Sequence, residues 1–131
     1  MKKDMSELMM IEFGGLPPTV NQMYRSAGAR RYKQRSVADW QEEIAFLMAE
    51  EWRGISATPY TGRAAVQILF SVNTNCRWDI DNRMKALLDC LEMSGVLQDD
   101  SQIDHLSVTR EKGAKLQTRI ILLECEERNR A

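Results

Sequence analysis

The sequence predicts an α+β fold, a small mixed β-sheet in the element order β-α-β-α-β-β with two helices packed on one face. Three observations predict it. Val66, Ile68, Phe70 and Val72 alternate with Ala65, Gln67, Leu69 and Ser71, the period-two pattern of a strand with one strongly apolar face. Two other stretches carry apolar residues at helical spacing. Two further apolar runs, at 103–110 and 116–124, close the sequence as strands. At 131 residues there is room for one core and no second catalytic domain, so residues 1–131 are expected to form one domain.

The elements follow in order. Residues 8–14 read as a first strand, stopped by Gly14-Gly15 and Pro17-Pro18. A loop runs from there to Arg35. Ser36, with Asp39 three residues on, resembles a capping box, and Val37, Trp40, Ile44, Leu47, Met48 and Trp52 keep helical spacing up to Gly54. Residues 55–63 hold Ser, Thr, Pro and Gly and read as a connection. After the 66–72 strand, which ends at Asn73-Thr74-Asn75, Met84, Leu87, Leu88 and Leu91 fall at i, i+3, i+4 and i+7 and predict a helix over 82–94. Gly95 is placed as its left-handed stop. The last two strands are expected to form a hairpin turned at Lys112-Gly113-Ala114.

Composition narrows the function. No apolar run approaches the ~20 residues needed to cross a bilayer, and no cleavable leader is readable, so a cytoplasmic protein is expected. Cys76, Cys90 and Cys125 are odd in number and lack paired spacing, and only one histidine is present, which disfavours zinc and a disulfide framework. They read as small core residues. His105 reads as structural rather than catalytic. The net charge of −1 disfavours a protein that coats nucleic acid over its whole surface, but the local distribution is uneven. Arg25, Arg30, Arg31, Lys33 and Arg35 lie between Tyr24 and Arg35 with no acidic residue among them, a basic loop suited to phosphate.

The chemistry concentrates at Asp79-Ile80-Asp81-Asn82-Arg83-Met84-Lys85, followed by Asp89 and, past Gly95, by Asp99-Asp100. Carboxylates this dense repel one another unless solvated, neutralised or bound to a cation. Helix capping explains one aspartate but not two plus the later pair. An EF-hand loop would need glycine and glutamate where Met84 and Cys90 stand. An aspartyl-phosphate phosphatase or a D-x-D sugar transferase would need a larger α/β domain and an apolar lead-in, and Asn75-Cys76-Arg77 is polar. What remains is metal-assisted phosphodiester hydrolysis, with aspartates holding one or two Mg²⁺ ions. Lys85, one turn beyond Asp81, either pairs with it or meets charge developing on the phosphate.

The run Asp79-x-Asp81-Asn82-x-x-Lys85-x-x-x-Asp89-x-Leu91-x-x-x-Gly95-x-x-x-Asp99-Asp100, with the upstream Pro17-Pro18-Thr19-x-Asn21-x-x-Tyr24, resembles the RusA family of Holliday junction resolvases. The resemblance spans residues 13 to 124 in order and spacing. It implies a RusA-like fold and a homodimeric, Mg²⁺-dependent endonuclease, with Mn²⁺ as a substitute, that cuts four-way DNA junctions by paired symmetric nicks in recombination and repair and is often prophage-encoded. It implies metal-binding catalytic residues at Asp79, Asp81 and Asp100, a working lysine at Lys85, and Asp99 as a further candidate ligand. Asn21 and Tyr24 join the basic residues as candidate DNA contacts. Neither a membrane nor a nucleotide cofactor is expected. The alternative is a branched-DNA binding protein that does not cut.

A helix over 82–94 is about 20 Å long, so Asp100 can rejoin Asp81 only if residues 95–100 double straight back along it. That path, with Val96 and Leu97 against the buried stripe, gives the expectation of a site within one chain; a site shared across a dimer is the alternative.

Overall fold

The computed structural model describes residues 5–19, 24–27, 30–33, 35–73 and 80–125, with the backbone alone at 24–27, 30–33, 35, 81 and 82. The elements are β1 (Met5–Gly14), β2 (Tyr24–Ala27), β3 (Arg30–Lys33), α1 (Arg35–Arg53), β4 (Ala64–Val72), α2 (Asp81–Met93), a 3-10 turn (Asp100–Gln102), β5 (Ile103–Lys112) and β6 (Gln117–Cys125). The main sheet has the order β1-β6-β4-β5. β4 runs parallel to β5 and antiparallel to β6, which in turn pairs antiparallel with β1.

The position of each strand follows from its side chains. Ala64, Ala65, Val66, Ile68, Phe70 and Val72 of β4 are all buried, as suits a strand bonded on both edges. β5 is exposed along nearly its whole length and carries His105, Arg110, Glu111 and Lys112, as suits an edge. The expected hairpin between the last two strands therefore does not form. β4 takes the place between them, and the connection crosses the end of β4, where Gly113 N–H donates to the Val72 carbonyl at 2.8 Å. The apolar demand of β4 for partners on both sides outweighs the local preference of neighbouring strands to pair.

Because β5 is parallel to β4, the chain must return the length of the sheet between them, and α2 is that return. Met9, Ile11, Ile44, Met48, Trp52, Val66, Ile68, Phe70, Leu87, Leu91, Ile120 and Leu122 belong to one core in which both helices pack on the sheet. On α1 the buried stripe is Val37, Gln41, Ile44, Ala45, Met48 and Trp52, while Leu47, expected inside, is 39% exposed. The helix starts at Arg35, so Ser36 lies in its first turn and does not cap it. Cys90 and Cys125 are buried free thiols, as expected, and Cys76 lies outside the described residues. Among the described residues, no helix is long and apolar enough to cross a membrane.

The basic stretch is not simply a loop. Its residues 24–27 and 30–33 form an antiparallel pair in which Tyr24 faces Lys33, Arg25 faces Tyr32, Ser26 faces Arg31 and Ala27 faces Arg30. Every cationic position is opposite a neutral one, which avoids the cross-strand repulsion that would open so basic a hairpin.

The helices are locked together by Gln41, fully buried, whose Nε2 donates to the Ala86 carbonyl at 3.0 Å. Gln41→Ala should lower stability by about 2–3 kcal/mol and Gln41→Met by about 1 kcal/mol, since the first leaves a void and the second only loses a hydrogen bond. Urea denaturation measures both.

Candidate metal centre and nucleic-acid interface

Helix α2 stops because Gly95 adopts φ +82°, a left-handed conformation that favours glycine, and the chain folds back on the last turn. Leu97 N–H donates to the Leu91 carbonyl at 3.1 Å, and Tyr60 N–H donates to the Val96 carbonyl at 2.8 Å. Val96 and Leu97 are buried, which pins this return. Gln102, also buried, makes four hydrogen bonds: its Oε1 accepts from Gln98 N–H at 2.8 Å and Asp99 N–H at 3.0 Å, and its Nε2 donates to the Tyr60 and Gly62 carbonyls at 2.8 and 2.9 Å. Arg63 adds a paired contact to Asp104, at 2.5 and 3.1 Å, and donates to the Ser101 carbonyl at 2.8 Å. The Tyr60 hydroxyl, whose pKa is raised by burial and further by Glu124 and Cys125, stays protonated and donates to the Arg63 carbonyl at 2.8 Å.

This framework presents three exposed carboxylates. Oxygens of Glu92, Asp99 and Asp100 all lie within 4.8 Å of one another. Two oxygens on opposite sides of a hard cation sit about 4–5 Å apart, so the spacing suits one. Asp99 also caps the 3-10 turn, accepting from Ser101 N–H at 3.3 Å and from the Ser101 hydroxyl. The carboxylates of Glu92 and Asp100 make no ion pair or hydrogen bond among the described residues, although their backbone carbonyls accept from Gly95 N–H and Ile103 N–H. Their location is also unfavourable without a cation, because a helix C-terminus carries partial negative charge and α2 has no basic residue in its last turn. The donors are all carboxylates, the set that selects Mg²⁺ or Mn²⁺ over softer metals. Sequence reasoning did not single out Glu92; its one signal is that it lies eleven residues, close to three helical turns, beyond Asp81.

The other predicted residues lie at the opposite end of α2. Asp81 is the first residue of the helix and Asp79 lies outside the described residues. The N-cap position is Ile80, whose apolar side chain offers no capping bond. Lys85 forms an i, i+4 pair with Asp89 at 3.7 Å and is half exposed. Arg83 Nη1 donates to the Pro17 carbonyl at 2.6 Å, which ties the Pro17-Pro18-Thr19 segment to the first turn of α2. Val37 packs on Ala86, so the start of α1 also adjoins this half of the helix. The basic hairpin leaves from one of these anchors and returns to the other. Its Arg25, Arg30, Arg31, Lys33 and Tyr24 are placed there by backbone alone, as is Arg35 at the start of α1, and Asn21 lies outside the described residues.

Asp81 and the Glu92–Asp99–Asp100 cluster are thus separated by the helix itself. Eleven residues at ~1.5 Å each give about 17 Å between the Asp81 and Glu92 backbones. The return expected of residues 95–100 stops after about one turn, at the level of Leu91, because the Leu97 and Gln102 hydrogen bonds hold it there.

A mixed sheet backed by two helices, with a cluster of carboxylates at one end of α2 and a basic hairpin joined to the elements at the other, defines a small α+β protein with an acidic and a basic pole. Its family is specific. The description "Endodeoxyribonuclease RusA" matches residues 15–122, and the chain belongs to that family. It is 28% identical over 95 residues to the crossover junction endodeoxyribonuclease rusA of Enterobacteria phage HK97, covering 72% of this chain and 76% of that protein. It is 30% identical over 98 residues to the crossover junction endodeoxyribonuclease RusA of Aquifex aeolicus (strain VF5), covering 73% and 75%.

Gln102→Leu should cost about 2–4 kcal/mol, because several backbone groups lose their partner at once. It should also weaken Mn²⁺ binding measured by calorimetry, whereas the exposed control Gln98→Leu should change neither.

Proposed function

We propose that this protein is a divalent-metal-dependent endonuclease that resolves four-way DNA junctions by paired symmetric nicks, as a cytoplasmic homodimer serving recombination and repair, with a prophage as its source. The observation that carries this reading is the carboxylate centre at the C-terminal end of α2, in a chain of the RusA family. Helix electrostatics disfavour that centre and capping uses only Asp99, so cation binding gives Glu92 and Asp100 a physical purpose.

In this reading Asp79 and Asp81 at the start of α2, and Asp100 with Asp99 and Glu92 beside it at the far end, are the residues that hold Mg²⁺ or Mn²⁺. Such an ion, when bound, polarises the scissile phosphate and eases deprotonation of the attacking water. Lys85, exposed and paired only loosely with Asp89, exchanges that partner for the charge that develops on the phosphate. Arg25, Arg30, Arg31, Lys33 and Arg35, with Asn21 and Tyr24, hold the DNA backbone. A two-fold dimer offers two sites to a substrate whose clean resolution needs two opposed nicks.

A junction-cleavage assay in Mg²⁺ and in EDTA tests the reading: cutting should appear only in Mg²⁺, and binding without cutting would mark a branched-DNA binding protein instead. Asp81→Asn and Asp100→Asn should each reduce cleavage by about a hundredfold or more while junction affinity holds or rises slightly, because each removes a ligand and a charge that repels phosphate. Arg30→Ala combined with Arg31→Ala should weaken binding to junction and duplex alike and lower the log–log salt slope by about one to two units. An unchanged slope would place the DNA-binding face elsewhere.

A further inference from the structure

We infer that Arg83 is a positioning residue: it fastens the stem of the basic hairpin to the first turn of α2, so that a DNA backbone held by the hairpin is presented in register with Asp81. The inference rests on the function proposed above and adds to it a residue assigned to neither the DNA nor the metal. The sequence sets up the need for such a tie. Pro17 and Pro18 have a fixed φ and no N–H, so the stem that leaves β1 is stiff and offers carbonyls without donors. The ladder with β6 extends only as far as Gly15, whose N–H donates to the Leu116 carbonyl at 3.0 Å and whose carbonyl accepts from the Thr118 hydroxyl at 2.8 Å. Pro17 beyond it is buried, and a buried carbonyl needs a donor. Arg83, 66 residues further along the chain, supplies one, with its Nη1 2.6 Å from the Pro17 oxygen. The Nε of the same side chain is shielded from solvent, so the guanidinium is turned under the stem rather than out toward a substrate.

Helix stability does not explain this residue. Arg83 is the third residue of α2, and the first turn of a helix carries partial positive charge that disfavours a cation. The other foot of the hairpin bears on the same part of the helix. Lys33 ends β3, α1 begins at Arg35, and Val37 packs on Ala86 with Trp40 against them. Trp40 in turn meets Phe13 of β1 edge-on, with ring centroids 5.8 Å apart. Arg83 and Ala86 are i and i+3 and so neighbours on one helix face, and Asp81 lies on the same turn as Arg83. Both feet are thus fastened to the two turns of α2 that carry Asp81 and Lys85. Apolar packing holds the Val37 foot, whereas the Pro17 foot is tied by one charged side chain. A displacement of about 1 Å between a held substrate and its catalytic groups costs about a hundredfold in rate, so the tie bears on cleavage more than on binding.

Two experiments test this. Arg83→Met keeps the side-chain length and removes its donors. In single-turnover cleavage at saturating protein and Mg²⁺, its rate constant should fall about 10- to 100-fold, with junction affinity within about threefold of wild type and the salt slope unchanged. Arg83→Lys can still donate but lacks the fork, and should be about three- to tenfold slower than wild type. If Arg83→Met does not fold, Arg83→Lys decides alone, and a wild-type rate then overturns the inference. A residue that only stabilises the fold would lower the melting temperature and the active fraction but leave the rate constant of the folded protein unchanged, which also overturns it. So does a salt slope lowered by about one unit, which marks a phosphate contact. The second readout does not involve activity: in limited trypsin digestion, cutting within 25–35 should be about fivefold faster in Arg83→Met than in wild type, with cutting at Arg119 of β6 unchanged. Equal acceleration at both places, or none at either, overturns the inference. If the wild type itself fails to cut junctions in Mg²⁺, the proposed function falls, and the digest still decides whether Arg83 holds the hairpin.

Discussion

The burial of β4 is the constraint on which the other features depend. With Val66, Ile68, Phe70 and Val72 in the core, this strand must be covered on one face and bonded on both edges. One edge is filled by β6 and the other by β5, and because β5 runs parallel, the chain has to travel back across the sheet before it begins. Helix α2 is that journey. Its length is set by the sheet it spans, and it places Asp81 at one end of the molecule and Glu92, Asp99 and Asp100 at the other. A packing requirement of the core thereby fixes the spacing of the acidic groups at the two ends of α2.

The electrostatics of α2 run partly with and partly against the helix. A carboxylate at Asp81 agrees with the partial positive charge of the N-terminus, whereas Glu92 beside Asp99 and Asp100 opposes the charge of the C-terminus. Several contacts hold the unfavourable group in place: the Gly95 reversal, the buried Val96 and Leu97, the Gln102 clamp and the Arg63–Asp104 pair all converge on it. Most of these contacts are buried or hydrogen-bonded to backbone, so the carboxylates are set on a rigid frame, the condition under which metal ligands hold their geometry. The cationic hairpin is built differently, as a two-stranded ribbon outside the main sheet.

Family membership adds the chemical context to this geometry. Two proteins named as crossover junction endodeoxyribonucleases share roughly three tenths of their aligned residues with this chain over about three quarters of their length. The matched segment, 15–122, includes the Pro17-Pro18-Thr19 anchor, both ends of α2, β5 and most of β6. The structural frame around the carboxylates and the similarity in sequence therefore cover the same part of the molecule.

The sequence by itself determined the α+β class, both helices, the strands at β1 and β4, the Gly95 stop and the location of the acidic residues, because each is written in local periodicity or in a conformation that only a few residues adopt. It left the order of the last strands undecided. Neighbours in sequence usually pair, and only the demand of β4 for two partners, a property of the assembled sheet, separates β5 from β6. The β2–β3 hairpin was obscured by its charge, and the register that sets each cationic position against a neutral one belongs to the paired strands rather than to any period along the chain. Glu92 was hidden for another reason: it becomes a neighbour of Asp99 and Asp100 only after Gly95 turns the chain and Gln102 fixes the return. Spacing along the chain marked the aspartates at both ends of α2, while the tertiary structure alone decided which carboxylates meet, since a helix is stiff and holds its two ends apart.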